Sequence, residues 1–159
     1  MEHITDLVNR VYADAERGLW RDDATRTSVE EVATLTRAGQ LVVADIDGQP
    51  TGVVCVKRLD KDTGEFGMLA TEPIARGRGI GTELVRFAEQ AMRDDGCRQM
   101  QLELLVPREW VLESKEFLAA WYDRLGYRLA RIGHIEEAYP HLAPMLCTPT
   151  DFRIYRKDI

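Results

Sequence analysis

The chain has 159 residues, 45% of them apolar and 30% charged, with a formal net charge of -6 at neutral pH. This is the composition of one soluble globular domain long enough to bury a core. The acidic balance excludes a general binder of phosphate backbones and mildly favours a cationic substrate. No apolar run reaches the roughly 20 residues that a membrane helix needs. Glu2 and Asp6 stand where a signal peptide would be basic and then apolar. Cys55, Cys97 and Cys147 form no C-x-x-C pair, so reduced thiols and the cytoplasm are expected.

Ile4, Leu7, Val8, Val11, Tyr12 and Ala15 recur at helical spacing and predict a helix over 2–17, ended by Gly18. A polar loop follows, broken only by Leu19 and Trp20. Ser28 and Glu31 form a capping-box pattern that opens a second helix, stopped at Gly39. From Leu41 the pattern becomes β-branched. Strands are predicted over 41–46, 53–56 and 65–71, the first two joined by an Asp47-Gly48 turn.

Ile80, Leu84, Val85, Ala88, Ala91 and Met92 mark a helix closed by Asp94-Asp95-Gly96. A strand over 101–106 is followed by a helix marked by Phe117, Leu118, Trp121, Tyr122 and Leu125, with Gly126 at C′. Short strands near 127–132 and 152–155 close the chain. Between them, 133–150 holds three prolines and reads as an ordered surface excursion. There is no repeat and no interdomain linker, so 1–159 reads as one domain.

Arg76-Gly77-Arg78-Gly79-Ile80-Gly81-Thr82 joins a strand to a helix. Glycines let that backbone turn tightly and approach a ligand, while the helix N-terminus offers free N–H groups and partial positive charge. The result is a pyrophosphate cradle, to which Arg76 and Arg78 add full charge. A P-loop needs a lysine before Thr82, and none is there. A dinucleotide fingerprint needs G-x-G-x-x-G early in a βαβ unit, whereas G-x-G-x-G here follows three hairpin-linked strands. R-x-x-G-x-G fits as it stands.

The run Leu69-Ala70-Thr71-Glu72-Pro73-Ile74-Ala75 into that loop resembles the acetyl-CoA-binding motif of the GNAT superfamily. Trp121-Tyr122-Asp123-Arg124-Leu125-Gly126-Tyr127 resembles that family's late Y-x-x-x-G-[FY] element. The order of elements agrees over nearly the whole chain. The resemblance implies an α/β fold: a mixed, mostly antiparallel sheet, splayed between its central strands 65–71 and 101–106 and flanked by about four helices. It also implies acetyl-CoA as acyl donor, with no metal. Pantetheine would pair with the backbone of the Leu69, Ala70 and Thr71 stretch, at Leu69 and Thr71. The pyrophosphate would rest on the amides of Arg76, Gly77, Arg78, Gly79, Ile80, Gly81 and Thr82.

Acyl transfer to an amine needs a neutral amine, a polarised thioester carbonyl and a proton for the leaving thiolate. No cysteine sits in a motif, which favours direct attack. Tyr122 matches the family tyrosine that protonates the thiolate; its alternative is core packing. Glu103, mid-strand among leucines, and Glu65, at the start of the donor-binding strand, are the base candidates. Either could instead be an ordinary surface residue or the end of a water chain. Lys115 stands where many members carry a cofactor-contacting asparagine. It would either reach a phosphate or be solvated.

By the same resemblance the acceptor is set by two loops, one with Trp20 and Arg21 and one with Arg108, Glu109 and Trp110, with Tyr139 capping the cleft. Each tryptophan has a plain alternative, folding onto the core. His134 and His141, near Glu136 and Glu137, match no metal motif and read as surface residues. The expected partner is a small-molecule or peptide amine, with no nucleic acid or membrane, and a homodimer is compatible with the family. The alternative function is an acyl-CoA-binding sensor module with little catalysis. Whether the acceptor is an amino sugar, a polyamine, an amino acid or a protein N-terminus stays open at this point.

Overall fold

Asp47 and Gly48 both adopt positive φ (53° and 79°), the twist a two-residue hairpin loop requires, and Asp45 Oδ1 accepts the Gly48 N–H at 2.7 Å. This turn starts a three-stranded antiparallel meander: β1 (Leu41–Ile46), β2 (Gln49–Arg58) and β3 (Thr63–Thr71). The computed structural model describes Met1–Ile159, and the meander belongs to the first of two compact units, formed by Met1–Ala13, Thr25–Met100 and Asp158–Ile159.

Helix α1 (Glu2–Ala15) presents Ile4, Leu7 and Val8 to one face of the meander, and α2 (Val29–Arg37) presents Val32. They meet Val53, Met68 and Ala70 in a core where each fully buried large side chain is worth about 1.5–3 kcal/mol. Ser28 caps α2, its Oγ accepting the Glu31 N–H at 3.1 Å. The reciprocal half of the expected capping box is absent, because the Glu31 carboxylate accepts the Thr27 hydroxyl instead. On the other face lies α3 (Ile80–Asp94), whose Leu84, Val85 and Ala88 are buried. Two glycines permit its close approach: Gly52 lies under Ile80 and Leu84, and Gly64 under Met92.

β3 is not regular. Val53 lies opposite Ala70 but Cys55 opposite Gly67, so three steps of β3 match two of β2. The extra residue is taken up at Met68, whose φ of 51° is a left-handed conformation that a non-glycine residue adopts at a cost of about 1–3 kcal/mol. The mark of this bulge in the sequence is Gly67, an isolated glycine inside the strand directly before Met68.

The second unit comprises Asp14–Ala24 and Gln101–Lys157. Its strands lie in the order β4 (Gln99–Pro107), β6 (Thr150–Asp158), β5 (Arg128–Gly133), and β5 and β6 pair antiparallel. Leu19, Leu105, Ile135, Phe152 and Ile154 make its core. α4 (Glu113–Arg124) buries Lys115 and Tyr122, whereas Phe117 is 65% exposed and contributes no core. The excursion before β6 contains a one-turn helix, α5 (Ile135–Ala138), which brings the helices to five. Its second half is strapped to the loop after α1. Arg21 N–H donates to Met145 O at 2.9 Å, Cys147 N–H donates to Leu19 O at 2.8 Å, and Trp20 bridges Leu146. No helix is long and apolar enough to cross a membrane.

Candidate active site

After β3 the chain makes a short 3-10 turn, Pro73–Ala75, and enters α3 through Gly77 and Gly79, both with φ of 78°. Gly79 is the N-cap and has no side chain with which to cap. The first α3 amide to find an acceptor is that of Glu83, on Gly79 O at 3.0 Å. The N–H groups of Ile80, Gly81 and Thr82 therefore lack intrahelical partners. Space beside them is open: a Cβ added at Gly77 or Gly79 would meet nothing within 4 Å. Arg76 and Arg78 are exposed on the same loop. Uncapped donors, the positive end of a helix and two guanidiniums fit a diphosphate. Leu69 and Thr71, partly exposed, follow the bulge on β3.

Glu65, in the same unit, is buried, and its carboxylate lies 3.0 Å from Lys57 Nζ on the directly opposite position of β2. Burial pushes the nearby Cys55 thiol up from its ordinary pKa, while Lys57 and Arg26 pull the other way. A thiol held protonated is a weak nucleophile.

In the second unit, Glu103 is half-buried on β4 and accepts the Tyr139 hydroxyl at Oε2, at 3.0 Å. Tyr139 ends α5 and stands edge-on to Phe152. Tyr122 is 6% exposed, its ring 5.0 Å from that of Trp121 and 6.3 Å from that of Tyr127. Packing and proton donation are thus compatible for this residue, since aromatic neighbours hold the ring while the hydroxyl lies at its tip.

Trp20 and Tyr139 both pack on the Leu19–Leu105–Ile135 core, and Arg21, next to Trp20 in the chain, is exposed. Arg108 is fixed by Asp151 (2.9 Å) and Thr150 O (3.0 Å) at the edge of a cavity of about 480 Å³ that also takes in His134, Leu146 and Thr148. Trp110 donates its indole N–H to Thr148 at 3.0 Å, and its ring lies over Gly18. The second unit thus holds Trp20, Arg108, Trp110, Tyr139 and Glu103, while the glycine loop and Glu65 belong to the first. Lys115 is not solvated. It is buried, and Nζ is engaged by Glu16 Oε1 at 2.6 Å. Glu16 carries no motif: in the sequence it falls within the last turn of the helix predicted over 2–17, whereas in the structure α1 ends at Ala15 and Glu16 turns inward. His134 caps α5, its N–H donating to Glu137 at 3.2 Å.

The model of the acetyltransferase (GNAT) family matches residues 5–127, a stretch that runs through both units. The chain belongs to the GNAT acetyltransferase family. The N-alpha-acetyltransferase MAK3 of Arabidopsis thaliana is 39% identical over 72 residues, which cover 45% of this chain and 34% of that protein's length. Among solved structures, an aminoglycoside 6'-N-acetyltransferase complexed with coenzyme A superposes with a TM-score of 0.72 at 15% identity, covering 99% of this chain and 89% of its own. A GNAT acetyltransferase of Elizabethkingia anophelis with acetyl-CoA bound gives 0.61 at 17% identity, covering 83% and 84%. The NatC complex bound to Gag peptide and CoA gives 0.65 at 19% identity, covering 99% and 89%. At these identities the likeness is one of fold, and the expected mixed α/β GNAT fold is the one observed.

Proposed function

We propose that this GNAT chain is an acetyl-CoA-dependent N-acyltransferase that acetylates a primary amine of a small molecule or peptide by direct attack. The observation that carries the reading is the uncapped N-terminus of α3 behind Gly77-Arg78-Gly79, open to solvent and flanked by two arginines. Acetyl-CoA, when bound, supplies an acetyl group activated as a thioester. The amides from Arg76 to Thr82 hold its diphosphate, and the backbone at Leu69 and Thr71 receives the pantetheine arm. Tyr122 gives a proton to the departing sulfur through its phenol hydroxyl. Glu103, oriented by the Tyr139 hydroxyl, takes the proton that the amine sheds. Glu65 is the weaker candidate for that step, because its carboxylate is committed to Lys57. Trp20, Arg21, Arg108, Trp110 and Tyr139 face the acceptor in this reading. Relatives named for aminoglycosides and for peptides both support an amine, and the Tyr139–Glu103 pair suits either.

Calorimetric titration with acetyl-CoA, followed by thiol release against a panel of amines, tests the reading. Micromolar binding and amine-dependent release are expected. Tyr122→Phe should retain binding within about threefold while losing about 10²–10⁴ in kcat, the usual worth of a general acid. Absence of acetyl-CoA binding overturns the proposal, and an unchanged kcat in Tyr122→Phe removes that residue from it.

A further inference from the structure

Glu16 lies one residue past α1 and is 8% exposed. Its Oε1 takes Lys115 Nζ at 2.6 Å, and its Oε2 takes the Trp20 indole N–H. The ion pair is closed from solvent, with side-chain exposures of 5% for Lys115 and 9% for Glu16. Beside it the Ser114 hydroxyl donates to Ala15 O. Withdrawing two full charges from water costs about as much as their attraction returns, so a buried pair of this kind adds little net stability. What it adds is register, because breaking it leaves a charge unpaired in the interior.

The elements it registers are specific. Lys115 stands on the first turn of α4, and Tyr122, about two turns on, is the other buried residue of that helix. The Trp20 ring, tethered through its N–H, packs on the core cluster that also carries Tyr139, the hydrogen-bond donor to Glu103. We infer that Lys115 and Glu16 are positioning residues: they clasp Trp20 into place as the acceptor wall, so the clasp sets affinity for the amine and leaves affinity for acetyl-CoA untouched. This rests on the acyltransferase reading given above.

The test uses the double variant Glu16→Leu, Lys115→Met, which removes both charges together and with them the acceptor of the Trp20 N–H, and Trp20→Phe, which removes the tethering N–H together with the fused ring that carries it. Acetyl-CoA affinity is measured by calorimetry. KM and kcat for the acceptor are measured with kanamycin or with a synthetic decapeptide bearing a free amino terminus, whichever the wild-type protein acetylates. Both variants should raise the acceptor KM at least tenfold, with kcat within threefold and acetyl-CoA affinity within twofold. An unchanged KM overturns the inference. So does any other pattern, whether kcat falls alone or KM, kcat and donor affinity decline together as folded protein is lost. Should the wild type bind no acetyl-CoA and acetylate neither probe, the acyltransferase reading fails on its own account. Hydrogen exchange then judges the clasp: amides of Leu19–Asp22 should exchange at least tenfold faster in the double variant, with β2 amides as internal reference. Unchanged protection there overturns it.

Discussion

Gly52 and Gly64 both face α3 but lie beneath opposite ends of it, and alanine at each should separate stability from donor binding. A Cβ at Gly52 would stand 3.0 Å from Ile80 Cγ2 and from Leu84 Cδ1, and 3.3 Å from Thr71 Cγ2. At Gly64 it would stand 2.4, 2.8 and 2.9 Å from Met92 Cγ, Sδ and Cβ. Overpacking costs about 1–3 kcal/mol, less about 0.4–1 kcal/mol for the stiffer unfolded chain. Gly52→Ala should lose about 1 kcal/mol, and Gly64→Ala about 2, because Met92 Cβ cannot swing aside. For a chain of this size these losses lower Tm by about 2–4 °C and 4–8 °C. Ile80 and Leu84 belong to the first turns of α3, so displacing them by a few tenths of an ångström misaims the free amides. Half of one charge-assisted hydrogen bond, about 0.8–1.5 kcal/mol, weakens the Kd for acetyl-CoA about four- to twelvefold. Gly64→Ala should leave that Kd within twofold despite its larger Tm loss. Differential scanning fluorimetry and calorimetry well below both midpoints give the two readings. Equal weakening by both, or none by Gly52→Ala, refutes the link between helix seating and the donor loop.

Gly79→Asp combines a left-handed residue costing about 1–2 kcal/mol with a carboxylate at the free amides; acetyl-CoA binding should weaken more than 100-fold by calorimetry, with only a few degrees lost in Tm. Iodoacetamide at pH 8, followed by peptide mass spectrometry, should label the exposed Cys147 first, since burial holds the Cys55 and Cys97 thiols above their ordinary pKa. The hydrogen bond from Arg131 and the amide of His134 hold the Glu137 carboxyl below its ordinary value of 4.5. Its support of α5 is therefore complete above that pH and lost as pH falls through the lower folded value. Urea titrations of wild type and Glu137→Gln should differ at pH 6 and converge in strong acid.

The elements with a strong period were legible in the sequence. Leu84, Val85 and Ala88 announced α3, and Gly77 and Gly79 announced the turn before it, because φ of 78° at each demands glycine there. Trp20 shows where reading stopped. A tryptophan in a polar loop predicts either a pocket wall or a core anchor, and the structure makes it half-buried with its N–H tethered. Lys115 could not be read, because the partner that takes its charge lies 99 positions earlier and nothing local marks it. Of the apolar positions that marked α4, Phe117 is the one on the outer face: it is 65% exposed, while Leu118 and Trp121 are half-buried and Lys115 and Tyr122 are buried. The one-turn helix α5 is too short for periodicity to declare.

The extra residue at Met68 changes the phase of its strand. Before it, Glu65 and Gly67 share a face with Lys57 and Cys55; after it, Ala70 shares that same face with Val53. Odd-numbered positions thus point toward α1 and α2 up to Gly67, and even-numbered ones from there on. Deleting Met68 would give a regular strand in which Gly67 stays opposite Cys55 and Ala70 opposite Val53, so both halves would keep their sides and only the left-handed kink and the buried Met68 side chain would be lost. The kink is thus a frame marker, and substitutions along β3 are interpretable only when counted from the correct side of it.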